Sequence, residues 1–269
     1  MEGSGGDPRA AVAERVAAVF ASYEPPGFAH VPDADSALFL CAMDHRTGYA
    51  GAHRVDGEGP FEGSELLWAA GLRSARRRPG MLTATALAAV TEADVASAFE
   101  VDGETVADPD RRAALWRDLA AGLARDHGGS AARLLASADG RLGGQGGLLA
   151  RLAPYEAYAD PLAKKSQLFA KICARRGWLE VSDPESWEVA ADNVLMRLAL
   201  RSGLVEPGDL VQVRAATRDA FKRVARDTGI SPPVLDDMLW ELGREDPDLL
   251  GTGAGDLREP PRDPASSWY

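Results

Sequence analysis

The segment SPPVLDDMLWELGRE, residues 231–245, carries the clearest structural signal in the chain. Its large apolar residues recur every three or four positions: Val234, Leu235, Met238, Leu239 and Leu242. This spacing places them on one face of an α-helix, and Ser231 followed by proline is typical of a helix start. The sequence therefore predicts an amphipathic helix that buries one face in a core.

Helical patterns of the same kind occupy most of the chain outside this segment. They predict helices over residues 10–23, from Ser64 to Pro79, from Thr91, from Asp108 to Gly128, from Pro161 to Gly177, from Asp192 to Gly203, and over residues 209–228.

Residues 36–62 depart from the helical period. The continuous apolar run SALFLCAM, residues 36–43, predicts a buried strand, and the glycine-rich residues 49–61 predict a small hairpin. The predicted fold class is therefore mostly α, with a small β element near residues 36–62.

The glycine-rich stretch SADGRLGGQGG, residues 137–147, is the best internal boundary that the sequence offers. It divides an N-terminal part, residues 1–136, from a second helical part, residues 148–245. Residues 246–269 are rich in proline, glycine and aspartate and are predicted to be a weakly ordered tail. We expect the two helical parts to pack as one unit.

The chain of 269 residues has ordinary globular composition but an acidic balance, with 41 acidic and 30 basic residues and a net charge of −11. Such a charge disfavours binding of a nucleic-acid polymer, which draws on neutralising several phosphates. The basic residues are uneven, however. Residues 151–176 hold six basic and two acidic side chains, which favours a local pocket for a small anionic substrate.

Several functional classes lack their signals. The two cysteines, Cys41 and Cys173, lie in apolar settings typical of free thiols in a cytoplasmic protein. No secretory signal pattern and no apolar run of roughly 18 residues is present, so neither secretion nor membrane contact is expected. Metal-ligand spacings and phosphate-binding or dinucleotide glycine motifs are absent, so no metal and no cofactor is expected. The sequence leaves the oligomeric state open.

Three segments, taken in order, resemble the queuosine salvage family, whose members hydrolyse the N-glycosidic bond of queuosine 5′-phosphate to release queuine. The first runs from Leu38 to Ala93 and includes FEGSELLWAAGLRSARRRPG, residues 61–80. The second runs from HGGSAARLL to YEAYADPLAKKSQLF, within residues 127–169, and the third joins EVAADNVLMRLALRSGLV, DLVQVRAAT and VLDDMLWELGRE, within residues 188–245. The resemblance implies a helical body similar to a DNA glycosylase and cleavage of a base–sugar bond.

The second and third segments also resemble the archaeal 8-oxoguanine DNA glycosylases of the helix-hairpin-helix superfamily. There a lysine precedes a helix like KSQLF, and an arginine follows the helix-opening aspartate by five residues, as Arg197 follows Asp192. A DNA glycosylase is therefore the alternative function. Against it, AYADPLAKK replaces the LPGIG-like hairpin that would donate backbone N–H groups to a DNA phosphate.

Asp192 is the predicted catalytic carboxylate. Breaking an N-glycosidic bond builds positive charge on the sugar carbon, and a nearby carboxylate stabilises that charge and can take a proton from attacking water. The resemblance places the family's aspartate at this position. The structural alternative is a plain helix N-cap, for which aspartate is among the favoured residues.

Lys164 and Lys165 match the family's lysine and its basic neighbour. They are predicted to act in catalysis by gripping a 5′-phosphate or easing leaving-group charge, whereas imine formation by a lysine would indicate a DNA lyase. The structural alternative is a solvated helix start.

Asp44 matches a family aspartate where base recognition is expected, and a carboxylate suits the amine and N–H edge of a deazaguanine. After it, HRTGYAG, residues 45–51, replaces the family's aromatic run, so a non-catalytic nucleotide-binding protein stays open as a third possibility. The remaining residues that match the family's substrate-binding pattern are Tyr158, Asp160, Arg197, Asp236 and Trp240. Trp240 could equally be a core residue, and Asp236 could be solvated.

Overall fold

The computed structural model describes residues 7–252 and 259–268 of the chain. Over these residues the protein is mostly helical, with one two-stranded antiparallel sheet, which confirms the predicted fold class. The elements are α1 Pro8–Phe20, α2 Ala34–Met43, β1 His53–Val55, β2 Glu58–Phe61, α3 Gly63–Arg77, α4 Ala84–Leu87, α5 Glu92–Ala98, α6 Pro109–His127, α7 Ala131–Ser137, α8 Leu148–Leu152, α9 Lys164–Arg175, α10 Asn193–Arg201, α11 Leu210–Thr228 and α12 Pro232–Glu245, with 3₁₀ turns at Glu156–Tyr158 and Pro184–Ser186.

Backbone contacts group the chain into two compact units. The first combines Met1–Pro26 with Ser186–Ala265, and the second combines Gly27–Glu185 with Ser266–Tyr269. The glycine-rich residues 137–147, predicted to be the internal boundary, lie inside the second unit. The Asp183 carboxylate accepts hydrogen bonds from the backbone N–H groups of Leu142 and Gly143 and so ties this stretch to the unit. The predicted tail falls partly outside the described residues.

The first unit has a core built from α1, α10, α11 and α12. Helix α12 buries one face in this core, as the apolar spacing of residues 231–245 predicts. Its fully buried side chains include Val12, Val16, Leu195, Leu198, Val213, Phe221, Val224, Leu235, Met238 and Leu239. Helix α11 lies where the sequence predicts a helix, and Asp209 opens it with a capping box that includes Gln212.

Gly243 allows α12 to approach α10 closely. A Cβ atom added there would lie 2.6 Å from Leu198 Cδ1 and 3.2 Å from Val194 Cγ1. We therefore expect Gly243→Ala to lower the free energy of unfolding by about 1–2 kcal/mol, because overpacking outweighs the better helix propensity of alanine. Urea denaturation of the variant measures this, with the exposed neighbour Glu245→Ala as a near-neutral control. An unchanged or raised stability would contradict the close packing.

The second unit is organised around α2, and here one prediction was wrong. Residues 36–43, predicted to be a strand, belong to the helix Ala34–Met43, and every residue from Ser36 to Met43 is buried. A helix buried on all sides has no amphipathic period, so a short apolar run cannot be told from a buried strand by its pattern. The start signal was present: Asp33 accepts a hydrogen bond from the Ser36 backbone N–H at 2.7 Å.

Side chains from other elements of this unit bond to the backbone of α2. Trp116 of α6 donates from Nε1 to the carbonyl of Phe39 at 2.8 Å, so α6 is joined to the central helix by a buried hydrogen bond. The predicted hairpin is confirmed by β1 and β2. The predicted helix start at Thr91 is also confirmed, since Thr91 and Asp94 form a capping box that opens α5. No helix within the described ranges is long and apolar enough to cross a membrane.

Candidate functional site

Asp44 is the C-cap of α2 in the second unit, and its carboxylate is buried, with 7% of the residue exposed. Ser64 Oγ donates to Asp44 Oδ1 at 2.6 Å, and Lys164 Nζ lies 3.4 Å from Asp44 Oδ2. Burial alone would raise the pKa of Asp44. The charge of Lys164, the Ser64 hydrogen bond and Lys165 outweigh burial and hold the pKa below its usual value. The carboxylate is therefore ionised at neutral pH.

Lys164 and Lys165 begin α9, and both side chains are buried, so the alternative of a solvated helix start is wrong for them. Lys164 Nζ donates to the Asp44 carbonyl at 3.0 Å. Lys165 Nζ, with 0% of the residue exposed, donates to the Ala42 carbonyl at 2.6 Å and lies 3.1 Å from His45 Nδ1. Burial and then the neighbouring Lys164 charge lower the pKa of Lys165 well below its usual value.

His45 is a buried neutral histidine beside this pair. Burial, followed by the charges of Lys165 and Arg112, lowers its pKa well below the usual value. Nδ1 faces the amine of Lys165, so a neutral ring accepts there and carries its proton on Nε2. The resemblance assigned no role to His45.

Arg112 of α6 is a buried arginine beside this group that the sequence analysis did not single out. It is 0% exposed, and its guanidinium donates to four backbone carbonyls: those of Met43, His45, Arg46 and Ala107. A signal for it exists in the sequence. Arg112 lies three and seven positions before Leu115 and Leu119, in phase with the buried stripe of α6.

Tyr158 and Asp160, predicted to bind substrate, make contacts within the second unit. Tyr158 donates its hydroxyl to the Leu38 carbonyl at 2.6 Å and is buried. The Asp160 carboxylate accepts from the backbone N–H groups of Leu162 at 3.0 Å and Lys164 at 2.9 Å. An internal carboxylate therefore uses N–H groups of the turn before α9 and of the first residue of α9.

Asp192 opens α10 in the first unit, which confirms the predicted helix start. Its Oδ1 accepts hydrogen bonds from the backbone N–H groups of Val194 at 2.9 Å and Leu195 at 3.1 Å. The side chain is half-buried. Asp192 is thus an N-cap by geometry, and its catalytic role stays a prediction.

The backbone just before Asp192 is fixed from two helices. Asp236 of α12 accepts from the Ala190 N–H at 2.7 Å, and Arg214 of α11 donates from Nε to the Ala191 carbonyl at 3.0 Å. Asp236 and Arg214 are both buried, so the alternative of a solvated Asp236 is wrong. Arg214 was not predicted, because a side chain that bonds a distant carbonyl has no local sequence signal.

Arg197 and Trp240 lie toward the surface of the first unit. Arg197 Nη1 is 3.5 Å from Glu259 Oε1. Trp240 is half-buried and packs against the core, and the Arg244 guanidinium carbon lies 4.5 Å from its ring centre, a cation–π geometry. This position agrees with the alternative that Trp240 is a core residue. Substrate binding by Arg197 or Trp240 stays a prediction.

A cleft of about 810 Å³ lies elsewhere in the second unit, and its lining contains none of the predicted site residues. Leu135, Trp178 and Leu179 form part of an apolar surface, and Asp33, Asp139 and Glu180 supply the charged side chains. Three carboxylates and no basic group suit an anionic substrate poorly. The charge of this cleft therefore does not match the anionic substrate that the sequence predicts. Within the described residues, no group of three or more His, Cys, Asp or Glu side chains is placed to hold a metal ion.

A scan against models of known protein families gives no match to this chain, and a search among curated proteins gives none either.

Proposed function

We propose that the protein is an N-glycosidase that hydrolyses the base–sugar bond of queuosine 5′-phosphate or a related modified nucleotide. The ordered resemblance of three segments motivates the proposal. The observation that carries it is the fixed carboxylate of Asp192, whose orientation is set by two N–H groups of α10 and by an anchored backbone before it. A preorganised carboxylate needs no reorganisation when positive charge develops on the sugar carbon.

In this proposal Asp192 of the first unit activates water and stabilises the developing charge. Recognition of the base by Asp44 of the second unit is proposed separately, from the resemblance. The N–H donors at the start of α10 favour a negative charge on Asp192, as the role requires. Asp44 is ionised and buried, so it can accept hydrogen bonds from the amine and ring N–H of a deazaguanine at a strength that an exposed carboxylate does not reach. No step draws on a metal or cofactor.

The test is a parallel substrate panel with chromatographic detection of the free base. Purified protein is incubated with queuosine 5′-phosphate, with the nucleoside, and with duplex DNA that contains 8-oxoguanine. We expect base release from the nucleotide and none from the duplex. Release of the base only from the duplex, or scission of the DNA strand, would contradict the proposal and would indicate a DNA glycosylase.

One observation favours that alternative. The lowered pKa of Lys165 is a property of lysines that form imines with sugar carbons. Against it, Lys165 is fully buried and Asp160 occupies N–H groups of the turn before α9. A borohydride-trapped covalent complex with abasic DNA would support imine chemistry.

Lys164→Met separates two roles for this lysine. Because Lys164 contacts Asp44, we expect kcat/KM to fall by about tenfold for both nucleotide and nucleoside. A lysine that grips the 5′-phosphate would instead lose activity only on the nucleotide. Paired steady-state kinetics on the two substrates decide this, with Lys222→Met, which removes a partly exposed lysine paired with Glu188, as the control.

A further inference from the structure

Five consecutive backbone carbonyls at the end of α2 accept hydrogen bonds from three buried basic side chains. Arg112 donates to residues 43, 45 and 46, Lys164 donates to residue 44, and Lys165 donates to residue 42. We call this set the carbonyl clamp. The donors come from α6 and α9, so two helices hold one short stretch of backbone.

Satisfying these carbonyls with a buried arginine has a large desolvation cost. Burying a guanidinium removes its hydration, and burial lowers the pKa of Arg112 to about 10, which still leaves it charged at neutral pH. A helix end is ordinarily satisfied by glycine geometry, local hydrogen bonds or water. The three bonds from one rigid, planar group instead fix the relative positions of the carbonyls that they join.

Asp44 lies in the middle of the clamped stretch. The carbonyls before and after it, those of Met43 and His45, both bond to Arg112. The backbone of Asp44 is thereby held on both sides, and its side chain points to Ser64 and Lys164. The hydrogen bonds of Arg112 in this region go to backbone carbonyls, so its effect on the carboxylate passes through the backbone.

We propose that Arg112 is a positioning residue for the Asp44 carboxylate. This rests on the proposed function, in which Asp44 recognises the base. The carbonyl clamp would then contribute to specificity, because it holds the Asp44 carboxylate in the orientation that accepts hydrogen bonds from the N–H edge of a heterocycle. A positioning error of a fraction of an ångström weakens such bidentate recognition, whereas a group that only stabilises the fold would leave it intact.

The first test needs no substrate. Crystal structures of wild type, Arg112→Lys and the control Arg117→Lys are compared at the Asp44–Ser64 contact, which is 2.6 Å long. Arg117 also lies on α6 and donates to one backbone carbonyl, that of Val90, at 2.7 Å. We expect the Asp44 carboxylate to leave Ser64 in Arg112→Lys and to stay in Arg117→Lys. An unmoved carboxylate in a folded Arg112→Lys protein would overturn the proposal.

The second test is a double-mutant cycle with queuosine 5′-phosphate. We expect Arg112→Lys to raise KM by about tenfold with kcat within about threefold, and to change KM little further when Asp44 is already asparagine. Additive effects of Arg112→Lys and Asp44→Asn would contradict an action through Asp44. A wild-type protein that releases no base would refute the proposed function, and the crystal comparison would still decide the role of Arg112.

Loss of Arg112 could also prevent folding. In that case Arg112→Gly is refolded with guanidinium ion in solution, and the ion is then withdrawn. Movement of Asp44 away from Ser64 on withdrawal supports the proposal, and a carboxylate that stays in place in the folded protein overturns it.

Discussion

Asp192→Asn is expected to release base from queuosine 5′-phosphate about a thousandfold more slowly than the wild type. The substitution removes the negative charge that stabilises the sugar cation and accepts a proton from water. It keeps the fold, because asparagine is as good an N-cap as aspartate and its side-chain oxygen can accept from Val194 and Leu195. Initial rates of base release, measured chromatographically, give the ratio.

The matched control is Asp209→Asn, the same change at the N-cap of α11 in the same unit. Asp209 bonds the Gln212 N–H at 2.9 Å, so the control reproduces the structural part of the change without the predicted chemistry. We expect near wild-type rates from it. Equal rates for Asp192→Asn and wild type would remove Asp192 from catalysis and leave it as a helix cap.

Asp44→Asn is expected to lower kcat/KM by about a hundredfold, mainly through KM. An asparagine replaces one acceptor oxygen with an N–H₂ group, which opposes the amine edge of the base, and it leaves Lys164 without its carboxylate. Steady-state kinetics measure the effect. Asp56→Asn is the control, since Asp56 belongs to the same unit and pairs with Arg76 and Arg77.

If Asp44 only stabilises the fold, Asp44→Asn will change thermal stability and not substrate binding. The variant would then lose thermal stability while KM of the folded fraction stays unchanged. That outcome would contradict base recognition by Asp44 and would also remove the purpose that we assign to Arg112.

The sequence predicted elements whose signals are local. These are the apolar period of α12, the helix start at Thr91 and the hairpin near residues 53–61. Each of them depends on neighbours within a few positions. The helix α2 was mistaken for a strand because its residues are apolar on every side, so the period that separates the two structures is absent. Its start at Asp33 was the available signal.

The candidate site was predictable only in part. The resemblance selected Asp44, Lys164 and Lys165, and the structure places these three side chains together in the second unit. Arg112 contacts carbonyls 66 to 69 residues away, and no local pattern predicts such contacts. Only its phase with the buried stripe of α6 indicated that this arginine turns inward.

The roles of Asp160 and Asp236 could not be predicted from the sequence either, because no local pattern distinguishes the possible partners of a carboxylate. Both carboxylates accept backbone N–H bonds, one in the turn before α9 and the other just ahead of Asp192. A residue type that suits substrate binding equally suits the capping of a backbone segment. The structure shows that Asp160 and Asp236 hold backbone segments in place. Their residue type alone does not distinguish this role from substrate binding.

The most direct measurement is incubation of the wild-type protein with queuosine 5′-phosphate, with quantitation of both products by mass spectrometry. The account predicts queuine and ribose 5-phosphate in equal amounts, formed over many turnovers without added metal or cofactor. Binding of the nucleotide with no release of base would contradict it and would indicate a non-catalytic nucleotide-binding protein.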